Sequence, residues 1–186
     1  TEPLPVSIRT LSARIAADLT LPTPAPEVLA PILEQAGALH RHVCPRQVLG
    51  ARMALAAGAH LGLDLPRSDK RLLVIAETDG CFLTGIEAAA GVRAGRRTLR
   101  IEDYGRIAAT FIDAKTERAV RMAPHATCRT AAAGHAPTTE TRRWHQMLLG
   151  YQAMPTAELL TWIPVRLTPS LAAVRSRPHV RTTCEV

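Results

Sequence analysis

The sequence predicts an α+β fold: a helix–strand–helix–three-strand unit with a helical C-terminal extension. Three observations carry this. Apolar residues recur at helical spacing through 46–61, with Val48, Leu49, Met53, Ala56 and Ala59 on one side and Gly62 as a stop. Leu72-Leu73-Val74-Ile75-Ala76 is a short continuous apolar run of the kind found in buried strands. Three further short apolar segments, 98–101, 107–112 and 119–122, are separated by Asp103-Tyr104-Gly105 and by the polar stretch 113–116, which read as turns. The chain has 186 residues, 47% of them hydrophobic, enough for one real core.

Residues 1–25 form an N-terminal arm, rich in Pro and Thr, with a short apolar stretch near 11–19 that reads as a helical turn or two. The unit itself occupies 26–122. It opens with a helix over 26–39, where Leu29, Ile32, Leu33, Ala36 and Leu39 share a face and Pro26 suits a first turn. Thr78-Asp79-Gly80 breaks the buried strand, and a helix follows from Cys81 to a stop at Gly91. The three later strands are expected to be antiparallel. Residues 123–186 are a connector and a C-terminal helical and extended segment. The stretch 123–137 is Pro/Gly/Ala-rich; Thr138 or Thr139 can cap a helix reaching Gln152, with Trp144, Leu148 and Tyr151 on one side. A short helix over 155–161 and an extended segment over 162–168 follow.

Composition narrows the function. The net charge is +7, and all but two of the 23 basic residues are arginine, the exceptions being Lys70 and Lys115. The arginines are scattered, and aromatics are 3% of the chain, so the stacking platforms of single-strand nucleic-acid binders are missing and nucleic acid is not an expected partner. No apolar run is long enough to span a membrane. TEPLPVSIRT lacks the basic start and apolar core of a secretory signal, so a cytoplasmic location is expected. There, Cys44, Cys81, Cys128 and Cys184 are expected to be reduced thiols or metal ligands rather than a disulfide framework.

Chemistry concentrates in two places. His40, His42 and Cys44 alternate over five residues; in an extended segment, side chains two apart point the same way, so the three can face one ion. The competing reading is a solvated loop with one cysteine turned to the core. The second place is Glu77-Thr78-Asp79-Gly80-Cys81, where a thiol meets a helix N-terminus whose free N–H groups and dipole favour thiolate. Cys44, just before Pro45 and its helix, is expected to share that situation. Both sites are expected to meet in space, with Asp79 and Gly80 in the turn. His60 is expected to be partly exposed. His125, His135 and His179 are expected to be solvated, and His145 to pack beside Trp144. Tyr104 reads either as a turn residue or as a phenol reaching a site.

The block His40-Arg41-His42-Val43-Cys44-Pro45, followed by Leu49-Gly50-Ala51-Arg52-Met53, resembles the HxHxCPG…LGxRM signature of the FmdE family, named for formylmethanofuran dehydrogenase. Ala76-Glu77-Thr78-Asp79-Gly80-Cys81-Phe82 is similar to that family's strand-to-helix cysteine motif. The stretch 97–106, Thr110-Phe111 and Val120-Arg121 are similar to its next blocks. The resemblance covers residues 35–122 well. It implies an FmdE-like helix–strand–helix–three-strand unit with a small mixed sheet, metal binding, frequent dimerisation and, in many members, a C-terminal zinc ribbon. The chain departs from the pattern at Arg41 and Arg46, which stand for glycines, at Thr84, which stands for an acidic residue, and at Val92 and Arg96, which stand for Cys and His. Cys184 stands where the ribbon's CxxCGE motif would begin.

Three functions compete on these residues. The first is a metal-dependent enzyme acting on an anionic small molecule. His40, His42, Cys44 and Cys81 would be its metal ligands, Cys81 and His42 its catalytic groups, and Arg41, Arg46 and Arg96 its substrate-binding cations, with Arg93 and Arg97 as further candidates. The expected metal is a divalent transition ion, zinc first, with iron or nickel as alternatives. The second is a non-catalytic metal-binding accessory or sensor protein. The third is a metal-free thiol enzyme using Cys81 with a histidine base. A homodimer is expected, because Trp144, Leu148, Tyr151, Leu159, Leu160 and Trp162 present much apolar surface for an appendage.

Overall fold

A computed structural model describes residues 8–10, 21–168 and 170–175. The predicted turn near 11–19, His179 and Cys184 lie outside the described residues. The elements run β1 (Ile8–Thr10), α1 (Pro26–Ala38), α2 (Pro45–Leu61), β2 (Leu72–Ala76), α3 (Cys81–Ala90), β3 (Leu99–Ile101), β4 (Ala109–Asp113) and β5 (Ala119–Pro124). Then come α4 (Cys128–Ala131), α5 (Arg143–Ala153), α6 (Thr156–Leu159), β6 (Leu160–Leu167) and α7 (Leu171–Arg175). The six strands form one mixed sheet in the order β1-β6-β5-β4-β2-β3.

One strand pairing differs from expectation. β3 lies parallel to β2, with Val74 opposite Leu99, and occupies the sheet edge; β4 pairs antiparallel with the other side of β2. The reason is the intervening helix. A chain that leaves β2, runs back through α3 and enters a neighbouring strand must enter it in the same direction as β2. β2 is thus flanked on both sides, and all five of its residues are buried.

Alternation along β2 sorts the core into two layers. Leu72, Val74 and Ala76 face α2 and α3 together with Phe82, Ile86, Phe111, Val120 and Met122. Leu73 and Ile75 face the other way, joining Ile112, Ala119 and Val165 under Leu171 and Val174 of α7. Phe82 and Phe111 have no exposed surface; burying an aromatic side chain of this size contributes about 2–3 kcal/mol.

The region after Met122 is built into the same fold. β6 pairs antiparallel with β5 along its length, and the 123–137 connector folds into α4 and a 3-10 turn at Ala132–His135. The capped helix begins at Arg143, later than Thr138 or Thr139. Arg52 of α2 ties this region down. It is buried, and its guanidinium donates to the carbonyls of Tyr151 (2.8 Å), Gln152 (3.1 Å) and Met154 (2.8 Å), and to the Thr156 hydroxyl (3.2 Å). A cation on the last carbonyls of α5 satisfies acceptors that a helix end leaves unpaired. Burial lowers the Arg52 pKa to about 10, which leaves it charged at neutral pH.

Tyr151, Leu159 and Leu160 are consequently buried within the chain, and Leu148 and Trp162 pack against its core. Of the six apolar residues that pointed to a second copy, Trp144 is the exposed one. No helix among the described residues is long and apolar enough to cross a membrane.

Candidate functional site

The helix crossing that builds the site is made by two glycines. A Cβ on Gly50 would stand 2.1 Å from the Phe82 carbonyl oxygen, and one on Gly85 would stand 2.1 Å from the Gln47 carbonyl oxygen. α2 and α3 therefore touch backbone to backbone within their first turns. Cys44 is the N-cap of α2 and Cys81 the first residue of α3. A close crossing near both helix starts brings the two thiols into each other's neighbourhood, close enough for Cys81 to raise the Cys44 pKa.

His40 completes a trio. Its Nδ1 lies 3.8 Å from Cys81 Sγ, and its Nε2 lies 2.8 Å from the Thr84 hydroxyl, one turn along α3. Thr84 thus orients the imidazole so that Nδ1 faces the sulfur. Gln47 fixes the loop from the other side. Its side-chain oxygen accepts the Cys44 N–H at 2.7 Å, while its amide N–H donates to the Ala36 carbonyl of α1 at 2.9 Å. This closes a capping box at α2 and anchors the α1–α2 connection that carries His40.

The segment 40–44 is not extended. Arg41 takes φ 65°, a left-handed conformation that glycine adopts without strain. Glycine would take this position at lower cost than arginine. The turn also parts the histidines: His42 is exposed, its ring centroid 6.3 Å from that of Trp144, and among the described residues no hydrogen bond joins it to His40, Cys44 or Cys81. Arg41 and Arg46 are exposed beside the trio. Gly80 takes φ 80° and ψ −156°, a region essentially restricted to glycine, and this lets the chain turn from β2 into Cys81.

Burial pushes the Cys44 thiol pKa up; the N–H groups of Gln47 and Arg46 pull it down, and neighbouring Cys81 adds to the rise. The helix start alone does not decide this cysteine's state, contrary to the expectation of a lowered pKa, because partial burial outweighs it. Cys44, Cys81 and Cys128 are free thiols. Among the described residues no three His, Cys, Asp or Glu side chains are gathered tightly enough to enclose an ion. What stands in contact is one sulfur and one imidazole nitrogen, Cys81 and His40, with Cys44 near them; both are donor types that transition metals accept.

The other assigned residues stand elsewhere. Arg96 donates to the Ser68 carbonyl and lines a separate basic cleft. Arg93 holds the Glu87 and Val92 carbonyls at 2.7 and 2.9 Å. Asp79 is exposed in the turn. His60 is half-buried, and its pKa is lowered first by burial and then by Arg118. His125 contacts Thr127 at 2.8 Å, His135 contacts Glu158 at 2.8 Å, and His145 lies edge-on to Trp144.

Two further groups shape the site without a chemical motif in the sequence. Gln47 carries no chemical motif, and only its position three after Cys44 signals a capping box. Glu77 is buried and paired with Arg121 of β5, one bond at 2.7 Å. Its carbonyl also accepts N–H bonds from Tyr104 and Arg106. It thereby fastens the 103–106 turn to the end of β2, leaving Tyr104 exposed.

The family model described as FmdE, molybdenum formylmethanofuran dehydrogenase operon, matches residues 39–161, a span that begins one residue before His40 and takes in both cysteines. The chain belongs to the FmdE family. Its fold is similar to that of a tungsten formylmethanofuran dehydrogenase FmdE-like protein from Syntrophus aciditrophicus. The TM-score is 0.56 at 20% identity, over 76% of this chain and 73% of that one. A curated relative, a probable S-adenosyl-L-methionine-binding protein of Archaeoglobus fulgidus, is 31% identical over 97 residues. The match takes in 50% of this FmdE chain and 26% of that relative's length.

Proposed function

We propose that this FmdE-family protein is a metal-dependent enzyme acting on an anionic small molecule, with His40, Cys44 and Cys81 holding a divalent transition metal. One observation carries the proposal. His40 Nδ1 and Cys81 Sγ stand 3.8 Å apart, and two such donors on one tetrahedral zinc stand about 3.6 Å apart, given Zn–S of about 2.3 Å and Zn–N of about 2.05 Å. Zinc is favoured by the mixed sulfur and nitrogen donors, with iron and nickel as alternatives. The ion would supply Lewis acidity toward a substrate oxygen or a water. Thr84 and Gln47 hold the donors in place, as outer hydrogen bonds do for metal ligands. His42 stands outside the trio and is assigned to proton transfer. Arg41 and Arg46, exposed at the same loop and helix start, are assigned to the anion.

The same contact favours a second reading, a thiol enzyme in which Cys81 is the nucleophile and His40 its base. Iodoacetamide modification of Cys81 separates the two. Under the metal reading it is slow in native protein and accelerates after chelation. Equal rates with and without chelator select the thiol reading. A non-catalytic accessory or sensor role would use the same ligands and show metal-dependent partner binding without turnover. A cytoplasmic homodimer is the proposed assembly, supported by the exposed Leu39 and Trp144; a concentration-independent monomer mass by light scattering rejects it.

A further inference from the structure

A basic cleft lies away from the thiols. It has a volume of about 760 Å³ and sits on the outer sheet face, between the starts of β2 and β3, the β4–β5 turn and α7. Leu73, Leu99 and Val174 give it an apolar floor. Six cations line it: Lys70, Arg71, Arg96, Arg97, Arg100 and Lys115; Asp69 is the one carboxylate in the lining.

The charge is only partly spent. Asp69 is taken by Arg67, Arg71 is held by Asp113, and Arg100 pairs with Glu102. Arg97 and Lys115 are exposed, and their side chains have no hydrogen bond or ion pair among the described residues. Arg97 also takes φ 59°, a backbone conformation unfavourable for arginine, at the lip of the cleft. The cations arrive from three separate chain segments, around residues 70, 97 and 115, so a single carboxylate could engage only a part of them. Six cations against one carboxylate line this concave surface, and a concave surface dominated by one sign of charge focuses the field and draws in the opposite sign.

We infer that this cleft binds a nucleoside di- or triphosphate. The chemistry asks for several negative charges joined to a flat, partly apolar body. The phosphates match the cationic rim, the body matches the floor of Leu73, Leu99 and Val174, and the volume lies within the usual range for small-molecule sites, about 300–1,000 Å³. A nucleic-acid strand would need successive stacking platforms, and no aromatic residue lines the cleft. The site is distinct from the thiol trio. Arg71 precedes β2 and Cys81 follows it, and five strand residues span about 16 Å. The inference therefore stands whether or not the trio holds a metal.

Binding of magnesium-free ATP to the full chain, followed by titration calorimetry, tests the inference. ATP saturates one site per chain at an ionic strength of about 0.15 M, and its affinity falls as salt is raised. Adenosine and inorganic triphosphate each bind at least about tenfold more weakly, because each lacks one half of the ligand. The double variant Arg97→Asn, Lys115→Gln weakens ATP binding at least about tenfold, while its circular dichroism stays that of the parent; Asn tolerates the positive φ at 97. Absence of saturable ATP binding overturns the inference, as does unchanged affinity in the folded double variant. Triphosphate matching ATP removes the role of the apolar floor and overturns it too. A single-stranded oligonucleotide that displaces ATP at lower concentration than ATP itself assigns the cleft to nucleic acid instead.

Discussion

Gly85→Ala tests how the helix crossing makes the site. The added methyl group would stand 2.1 Å from the Gln47 carbonyl oxygen and 2.9 Å from the Ala51 nitrogen, both backbone atoms that no rotamer change can move. A carbon and a carbonyl oxygen rest at about 3.3 Å or more, so α2 and α3 must part by about 1.2 Å at this point. Overpacking of that kind costs about 1–3 kcal/mol, and the gap opened along Phe82, Ile86 and Met53 adds to it. Alanine recovers about 1 kcal/mol as the better helix former. The expected net loss is about 2 kcal/mol, read by urea denaturation. The same displacement separates Cys81 from Cys44 by about 1 Å, well beyond the ~0.2 Å tolerance of a metal–ligand bond, so zinc affinity measured against a chromophoric chelator falls at least about tenfold. Gly58→Ala is the control. It lies in the last turns of α2 and meets chiefly the flexible Leu65 side chain, at 2.8 Å, so it leaves zinc affinity unchanged. A Gly85→Ala protein with parental stability and parental zinc affinity would show that the α2–α3 crossing does not set the spacing of the thiols.

Two further perturbations follow from the packing. Arg52→Ala removes the buried guanidinium that holds Tyr151, Gln152, Met154 and Thr156, costs at least about 3 kcal/mol in urea denaturation, and is not rescued by Arg52→Lys, which lacks the planar fork. Asp113 is buried, and its carboxyl is held well below the usual range, first by the Arg71 guanidinium and then also by the Lys115 N–H and Thr116 hydroxyl. A depressed carboxylate pKa stabilises the fold above the unfolded value, about pH 4, and this contribution is lost as pH falls below it. Asp113→Asn therefore lowers stability at neutral pH and flattens the acid limb of the stability profile; an unchanged acid limb would show that another group controls it.

Local pattern carried most of the fold into view. The run 72–76 is apolar because β2 is flanked on both sides and covered on both faces, and Gly62 and Gly91 end their helices in left-handed conformations. The parallel pairing of β3 was hidden because three residues carry little register information, and the path of α3 dictates direction. The late start of α5 was hidden because Arg142 caps it without a side-chain hydrogen bond, so no polar cap residue marks the position. At the site, Cys44 and Cys81 were legible as thiols at two helix starts. What joins them, Gly50 and Gly85, reads in sequence only as two small residues inside helices. The common facing of His40, His42 and Cys44 was expected from an extended segment, and the positive φ of Arg41 puts a turn there instead. Arg52 belongs to a recognisable motif, yet its partners lie about a hundred residues away and nothing local announces them.

Elemental analysis of the natively purified protein, beside His40→Ala, Cys44→Ala and Cys81→Ala, decides whether His40, Cys44 and Cys81 hold one transition-metal ion. One zinc, or one iron or nickel, per chain is expected in the parent, with loss of most of it in each variant while circular dichroism shows the fold retained. A parent chain with no stoichiometric metal, or variants that keep the full parental content, would contradict that assignment.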